Sequence, residues 1–317
     1  MVLQRCVMAG GVASAVALAM VVTTGASTDG ADAVHSAELA VLNTALRDAG
    51  TTAFQIEKAE IIVNIDGVER AQTLIANDRT HLFASQFVEN DPRRGGFSDI
   101  SYLVDQSDGT VLAFASPPPP VVIEVLPNAV TEPLIDASMR RWQNQPNCPG
   151  PNVVKVPDSI PNPDVVDNLV LGGTPGTPLA DITHGGWLPP VFFNAIAPNG
   201  ATFILGVTFT AVFVDANGPT DIDHNGRPDV ALREIYYNLG FGWSERPTRF
   251  GVDIESVATH EAGHAFGLGH FGKVFLDDNN VLKFAPRAVM NAAYVSRFPD
   301  LVGPDNASFC AIWANSQ

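Results

Sequence analysis

Three histidines fall close together in His260-Glu261-Ala262-Gly263-His264-Ala265-Phe266-Gly267-Leu268-Gly269-His270. A pattern of this kind, H-E-x-x-H-x-x-G-x-x-H, arises by chance on the order of 10⁻⁵ times in a chain of such length and composition. On a helix, His260 and His264 project about 40° apart around the axis, so both imidazoles reach one ion. Glu261 does not share their direction, which places its carboxylate beside the ion as a base and not as a ligand. Gly267, lacking a Cβ, adopts the left-handed conformation that ends a helix and sends His270 back toward the first two rings. Three neutral nitrogens then hold a divalent metal, zinc by preference, and leave a tetrahedral position for water. A structural zinc site would be closed by a fourth protein ligand, often a cysteine, and none is near. The chemistry expected is hydrolysis by a metal-activated water, with Glu261 taking its proton and delivering it to a leaving amine.

A second metal signal lies in Asp221-Ile222-Asp223-His224-Asn225-Gly226-Arg227-Pro228-Asp229. Asp221, Asp223, Asn225 and Asp229 put oxygens at alternate positions, with Gly226 sixth, as at the start of a calcium loop. Position twelve is Leu232 where a bidentate Glu belongs. The turn is therefore read as a calcium-binding brace for the strand that follows, against the alternative of a solvated acidic turn.

Together with Arg287-Ala288-Val289-Met290-Asn291-Ala292-Ala293-Tyr294, which looks like a Met-turn, the histidine motif resembles the metzincin metallopeptidases, and among them the matrixin-like group. The resemblance implies an α+β catalytic domain: a twisted mixed β-sheet, an active-site helix beneath it, and a cleft between a larger upper and a smaller lower subdomain. It implies that Met290 forms an apolar floor under the metal and that Tyr294 walls a pocket. Ile100 to Val104 looks like the first strand, Leu134 to Trp142 like the first helix, Ala180-Asp181-Ile182 like the third strand, and Asp305 to Trp313 like the closing helix. Glu234, Ile235, Tyr236, Tyr237 and Asn238 look like an exposed edge strand, to which an extended protein or peptide substrate adds by main-chain pairing.

The elements that must position these groups are partly visible. Asp253 is an N-cap for the histidine helix, and Ile254, Ala258, Ala262 and Ala265 lie on its other side, small enough for close packing on a sheet. Ala59 to Ile65, Thr202 to Phe213 and Glu234 to Asn238 read as strands. Ile100 to Val104 and Val111 to Ala115 read as a hairpin around Ser107-Asp108-Gly109.

Residues 1–33 have a basic start and an uncharged Ala/Val-rich run, as in a secretory signal peptide; an uncleaved anchor is the alternative. A breaker-rich boundary near Asp91 to Gly96 separates a 34–94 pro-region or accessory domain from a 95–317 catalytic domain. The segment 34–94 has no cysteine to occupy a zinc, and the Arg93-Arg94 pair is read as a solvated loop, with a processing site as the other reading. Outside the signal the cysteines are Cys148 and Cys310; in an exported chain they form one disulfide, or else stay as two buried thiols.

The chain has 317 residues, 46% of them hydrophobic, and a formal net charge of −16. That charge excludes nucleic acid as a partner. The resulting expectation is a monomeric secreted zinc endopeptidase, extracellular or periplasmic, without stable membrane association, holding Zn²⁺ and a second ion, Ca²⁺. Two rivals are a non-enzymatic secreted module that uses metals to hold a binding surface, and a membrane-tethered sheddase of the same chemistry.

Overall fold

The structure, a computed structural model, describes residues 36–64, 85–105, 111–114, 123–145, 148–160, 162–245, 251–279 and 282–313. The signal-peptide reading over 1–33 and the Ser107-Asp108-Gly109 turn lie outside them.

In chain order the elements are α1 (Ser36–Asp48), β1 (Phe54–Asn64), β2 (Ile100–Val104), β3 (Val111–Phe114), β4 (Ile123–Leu126), α2 (Asn128–Gln143), β5 (Val153–Lys155), α3 (Val166–Leu171), β6 (Ile182–Leu188), α4 (Pro190–Ile196), β7 (Ile204–Asp215), β8 (Gly218–Pro219), β9 (Val230–Asn238), β10 (Trp243–Ser244), β11 (Val252–Asp253), α5 (Ile254–Ala265), β12 (Lys273–Leu276), β13 (Leu282–Ala285), β14 (Ala293–Tyr294) and α6 (Gly303–Trp313). The chain is thus α+β, with a mixed central sheet in the order β14-β1-β7-β9-β6-β2-β5. β9, β6, β2 and β5 run parallel, and β7 is antiparallel to both β9 and β1.

Both faces of the sheet are covered, which is why its strands are apolar on both sides. On one face Ile62, Tyr102, Ile182, Ile235 and Tyr237 pack with Met139, Trp142, Val257 and Phe309 of α2, α5 and α6. On the other, Ile61, Val63, Val207, Phe209 and Tyr236 pack with Leu39, Val166 and Phe192 of α1, α3 and α4. The alternation between faces follows the two-residue period of a strand.

Three expectations are corrected here. β2 and β3 do not form a hairpin: β2 pairs in parallel with β5 and β6, while β3 pairs with β4 and β10 in a second sheet. The continuous apolar run of β2, buried at Ile100, Tyr102, Leu103 and Val104, suits a central parallel strand better than a half-solvated hairpin. The second correction concerns the substrate strand. Glu234, Ile235, Tyr236, Tyr237 and Asn238 lie in β9, flanked by β7 and β6, and all five are buried, so this segment presents no free edge.

Residues 54–64 of the N-terminal segment are part of the same sheet. β1 lies between β7 and β14, antiparallel to the first and parallel to the second. Nor is Arg94 solvated: its Nε meets Asp181 Oδ1 at 2.7 Å with the side chain 2% exposed, while Arg93 is exposed and its Nη2 reaches Asp91 and Asp229. Cys148 and Cys310 are joined, linking the loop after α2 to α6. Among the described residues no helix is long and apolar enough to cross a membrane.

Candidate metal centre and active site

α5 begins where the sequence places it. The Asp253 carboxylate accepts from Ser256 N at 2.9 Å, and the helix is buried along its whole length. Trp142 on α2 donates to Thr259 O at 2.7 Å, and Arg233 on β9 donates to Ala265 O at 2.7 Å, so the helix is held at its middle and at its carbonyl end. Gly267 has φ +92°. The chain closes there with Gly267 N donating to His264 O and Leu268 N to Gly263 O, the paired bonds of a left-handed helix stop.

That turn brings the three rings together. The Nε2 atoms of His260, His264 and His270 lie 3.0, 3.2 and 3.3 Å apart. Nitrogens bonded to one tetrahedral ion at ~2.0–2.1 Å would stand about 3.3 Å from each other. His260 Nδ1 is 2.7 Å from Val289 O, and His264 Nδ1 is 2.7 Å from Leu268 O. A carbonyl only accepts, so each Nδ1 carries the proton and each Nε2 turns a lone pair inward. Burial, then the neighbouring ring of His270, pushes His260 down to about 3; burial and the other two rings hold His264 well below its usual value. Neutral rings whose lone pairs converge fit a cation, and this group can hold a metal ion.

Glu261 is fully buried beside them, and burial pushes its carboxyl up to about 8. A positive ion at the imidazole focus acts the other way and favours the carboxylate. Thr208 Oγ1 on β7 donates to Oε2 at 2.5 Å, while Oε1 has no hydrogen-bond partner of good geometry. Gly206, also on β7, leaves the room this carboxylate needs: a Cβ there would lie 2.8 Å from Glu261 Oε1.

Below the helix, Met290 packs against Gly263 so closely that a Cβ on residue 263 would meet its sulfur at 2.3 Å. The turn carrying Met290 is clamped by Asp305 of α6, whose carboxylate accepts from Val289 N, Met290 N and Val302 N at 3.0, 3.1 and 3.0 Å. Since Val289 O orients His260, Asp305 supports one ring of the histidine group through one intervening residue. Tyr294 accepts at its hydroxyl from Asp253 N at 3.1 Å and borders a cavity of about 250 Å³, together with Phe284, Arg287, Val289, Phe298 and Ile62 of β1.

β1 closes over this site. Ile62 pairs with Gly206, and Glu60 with Thr208, the two β7 residues that touch Glu261. Glu60 Oε2 approaches His264 Nδ1 at 3.4 Å, on the ring edge away from the other two histidines. Val63 N donates to Ala292 O, tying β1 to the segment after the Met-turn.

No protein-family profile and no curated protein matches this chain.

In the acidic turn, ligand atoms of Asp221, Asp223 and Asp229 lie within 4.8 Å of one another. Asn225 Nδ2 donates to Asp223 Oδ2 at 3.0 Å, and its Oδ1 accepts from Arg227 N at 2.8 Å. Asp229 is buried and already engaged by Thr220 Oγ1 at 2.6 Å and Arg93 Nη2 at 2.7 Å. The turn runs into the strand β9, so no second helix follows as it would in a helix-loop-helix calcium site. His184 is a core residue, its Nδ1 2.9 Å from Tyr237 Oη.

Asp305, Arg233, Thr208, Gly206 and Glu60 were not found from sequence. Each acts on the site from a distant stretch of chain, and none belongs to a local pattern. Asp305, as an acid at the start of a helix, carried only the signal of a helix terminus.

Proposed function

We propose that this chain is a secreted zinc endopeptidase of the metzincin type, matrixin-like in its motifs, that cuts extended protein or peptide substrates. The observation that carries this reading is the convergence of three imidazole Nε2 atoms at 3.0–3.3 Å with the Glu261 carboxylate beside them. A zinc ion held by His260, His264 and His270 would polarise a carbonyl and lower the pKa of an attacking water. Glu261 is the base: Thr208 fixes one of its oxygens, and the other, Oε1, is left to take a proton and pass it to the leaving amine. Asp305 and Arg233 keep the Met-turn and the helix end in place, so that ring orientation is set before substrate arrives.

A peptide substrate binds by strand addition, and the strand it adds to is β7, not residues 234–238. β1 already fills that position. The form described here is thus closed, and residues 54–64 must leave or be removed before a substrate can pair between β7 and β14. This gives the N-terminal segment the part of a pro-region without a cysteine. The disulfide Cys148–Cys310 fits an oxidising, exported setting. At the acidic turn Arg93 already supplies positive charge to Asp229, and no calcium-dependent step is assigned to it.

The test is hydrolysis of a generic unfolded protein by the exported form, with its N-terminus sequenced and its zinc counted. The reading requires cleavage that disappears with a chelator and with Glu261→Gln while zinc stays bound in that variant. Stoichiometric zinc with no cleavage of any peptide library, even after residues 34–64 are removed, would leave the non-enzymatic module in its place.

A further inference from the structure

On the sheet face opposite the histidines, four carboxylates are buried close together. Asp105 follows β2, Asp164 and Asp167 stand at the start of α3, and Glu234 is on β9; all four are 3% exposed or less. Glu234 is provided for, since it accepts from Val165 N at 2.8 Å, Val166 N at 2.9 Å and Tyr236 Oη at 2.8 Å. Asp164 is not. It is 0% exposed, and neither carboxylate oxygen meets an N–H or hydroxyl donor. Asp167 uses one oxygen to accept from Asn162 Nδ2 at 3.3 Å, and its Oδ1 is also without a partner.

After burial itself, the strongest influences on Asp164 come from other carboxylates, namely Glu234, Asp167 and Asp105, and the Asp105 carboxyl lies within hydrogen-bonding reach of it. The backbone around the group is drawn in tightly. Gly185 on β6 approaches so near that a Cβ there would stand 2.7 Å from Asp164 Oδ1, and Asp164 O accepts from Gly176 N and Asn168 Nδ2 at 2.7 and 2.8 Å. Leaving one buried polar group unpaired is unfavourable, and facing carboxylates compound the penalty unless a proton or a metal stands between them.

We propose that Asp105 and Asp164, with Asp167 flanking, hold a calcium ion that fastens the 162–168 loop and α3 to the end of β2. All the donors are oxygens and charged, which suits a hard divalent cation, and main-chain carbonyls and water complete the six to eight oxygens that calcium takes. The site is separate from the histidine centre and from the Asp221 turn, and it does not depend on the peptidase reading. α3 contributes Val166 to the cluster that also holds Leu39 of α1 and Ile61 and Val63 of β1. Loss of the ion would loosen the support under the N-terminal segment.

The experiment uses the full chain carrying Asp221→Asn and Asp223→Asn, so that the acidic turn contributes nothing. Calcium is added to chelator-treated protein and followed by calorimetry and by the thermal midpoint, with magnesium in a parallel titration. The proposal expects one calcium per chain and a midpoint raised by about 5 °C at a hundredfold excess over Kd. Both effects should vanish on adding Asp164→Asn, and the zinc content should not change. If Asp164→Asn does not fold, Asp105→Asn serves in its place, and metal analysis of the parent after dialysis against calcium gives the stoichiometry directly. A parent that binds no calcium, or a variant that keeps the full calcium-dependent shift, overturns the proposal and leaves a proton shared between Asp105 and Asp164 as the way this charge is accommodated.

Discussion

Gly206 of β7 and Glu261 of α5 are in contact, and a single added carbon on residue 206 would sit 2.8 Å from Glu261 Oε1 and 3.1 Å from its Cγ. The glycine is needed here for space, not for a left-handed backbone. Gly206→Ala should displace the carboxylate and lower kcat by about 10²-fold, the usual loss for a shift near 1 Å. Zinc content and thermal midpoint would stay near the parent values, and a variant with unchanged kcat would remove Glu261 from the base role.

Removing the carboxylate charge should be more severe. Glu261→Gln keeps the shape and the Thr208 contact, so zinc remains while hydrolysis falls by about 10²–10⁴-fold, the range for loss of a general base. His264→Ala should behave differently, losing both metal and activity, because one of three converging ligands is gone. Metal analysis beside a peptide assay separates the two variants.

Asp305 accepts three main-chain hydrogen bonds from a position with 1% exposure. Asp305→Ala would leave those amides unsatisfied, for a loss of about 2–4 kcal/mol in stability. It should also speed zinc release to a chromophoric chelator, since Val289 O orients His260. A stable variant with unaltered zinc release would mean that the Met-turn holds itself.

The cover strand is tested by Val63→Pro, which deletes the N–H that donates to Ala292 O and disturbs pairing beside β14. Weaker docking of β1 should raise cleavage of an added peptide several-fold in the full chain. If cleavage is unchanged while β1 becomes accessible to hydrogen exchange, β1 does not occupy the substrate's place.

His184 offers a pH test outside the metal centre. Burial pushes it down to about 3. A depressed histidine contributes stability above its unfolded value near 6.5 and loses it as pH falls toward 3. Between those limits the parent should lose stability with acid more steeply than His184→Gln, by up to about 1.4 kcal/mol per pH unit. Equal slopes in denaturant titrations would show that His184 is not held neutral.

The three converging imidazoles could be read from sequence because their geometry is local. An i, i+4 pair on a helix and a glycine stop fix three rings within a dozen residues, with no need of the rest of the chain. The N-cap at Asp253 and the strand character of residues 59–65, 202–213 and 234–238, which overlap β1, β7 and β9, were legible for the same reason. Strand neighbours were not. Glu234 to Asn238 resembles an edge strand in sequence, yet burial on both faces is the mark of an interior strand, and β9 has a partner on each side. That β7 touches Glu261, that β1 pairs along β7, that Asp305 grips the turn carrying Met290 and that Asp164 faces Asp105 were decided by contacts between distant segments. Such contacts form only when the sheet and its two helical layers assemble, so they leave no periodic trace in the residues themselves.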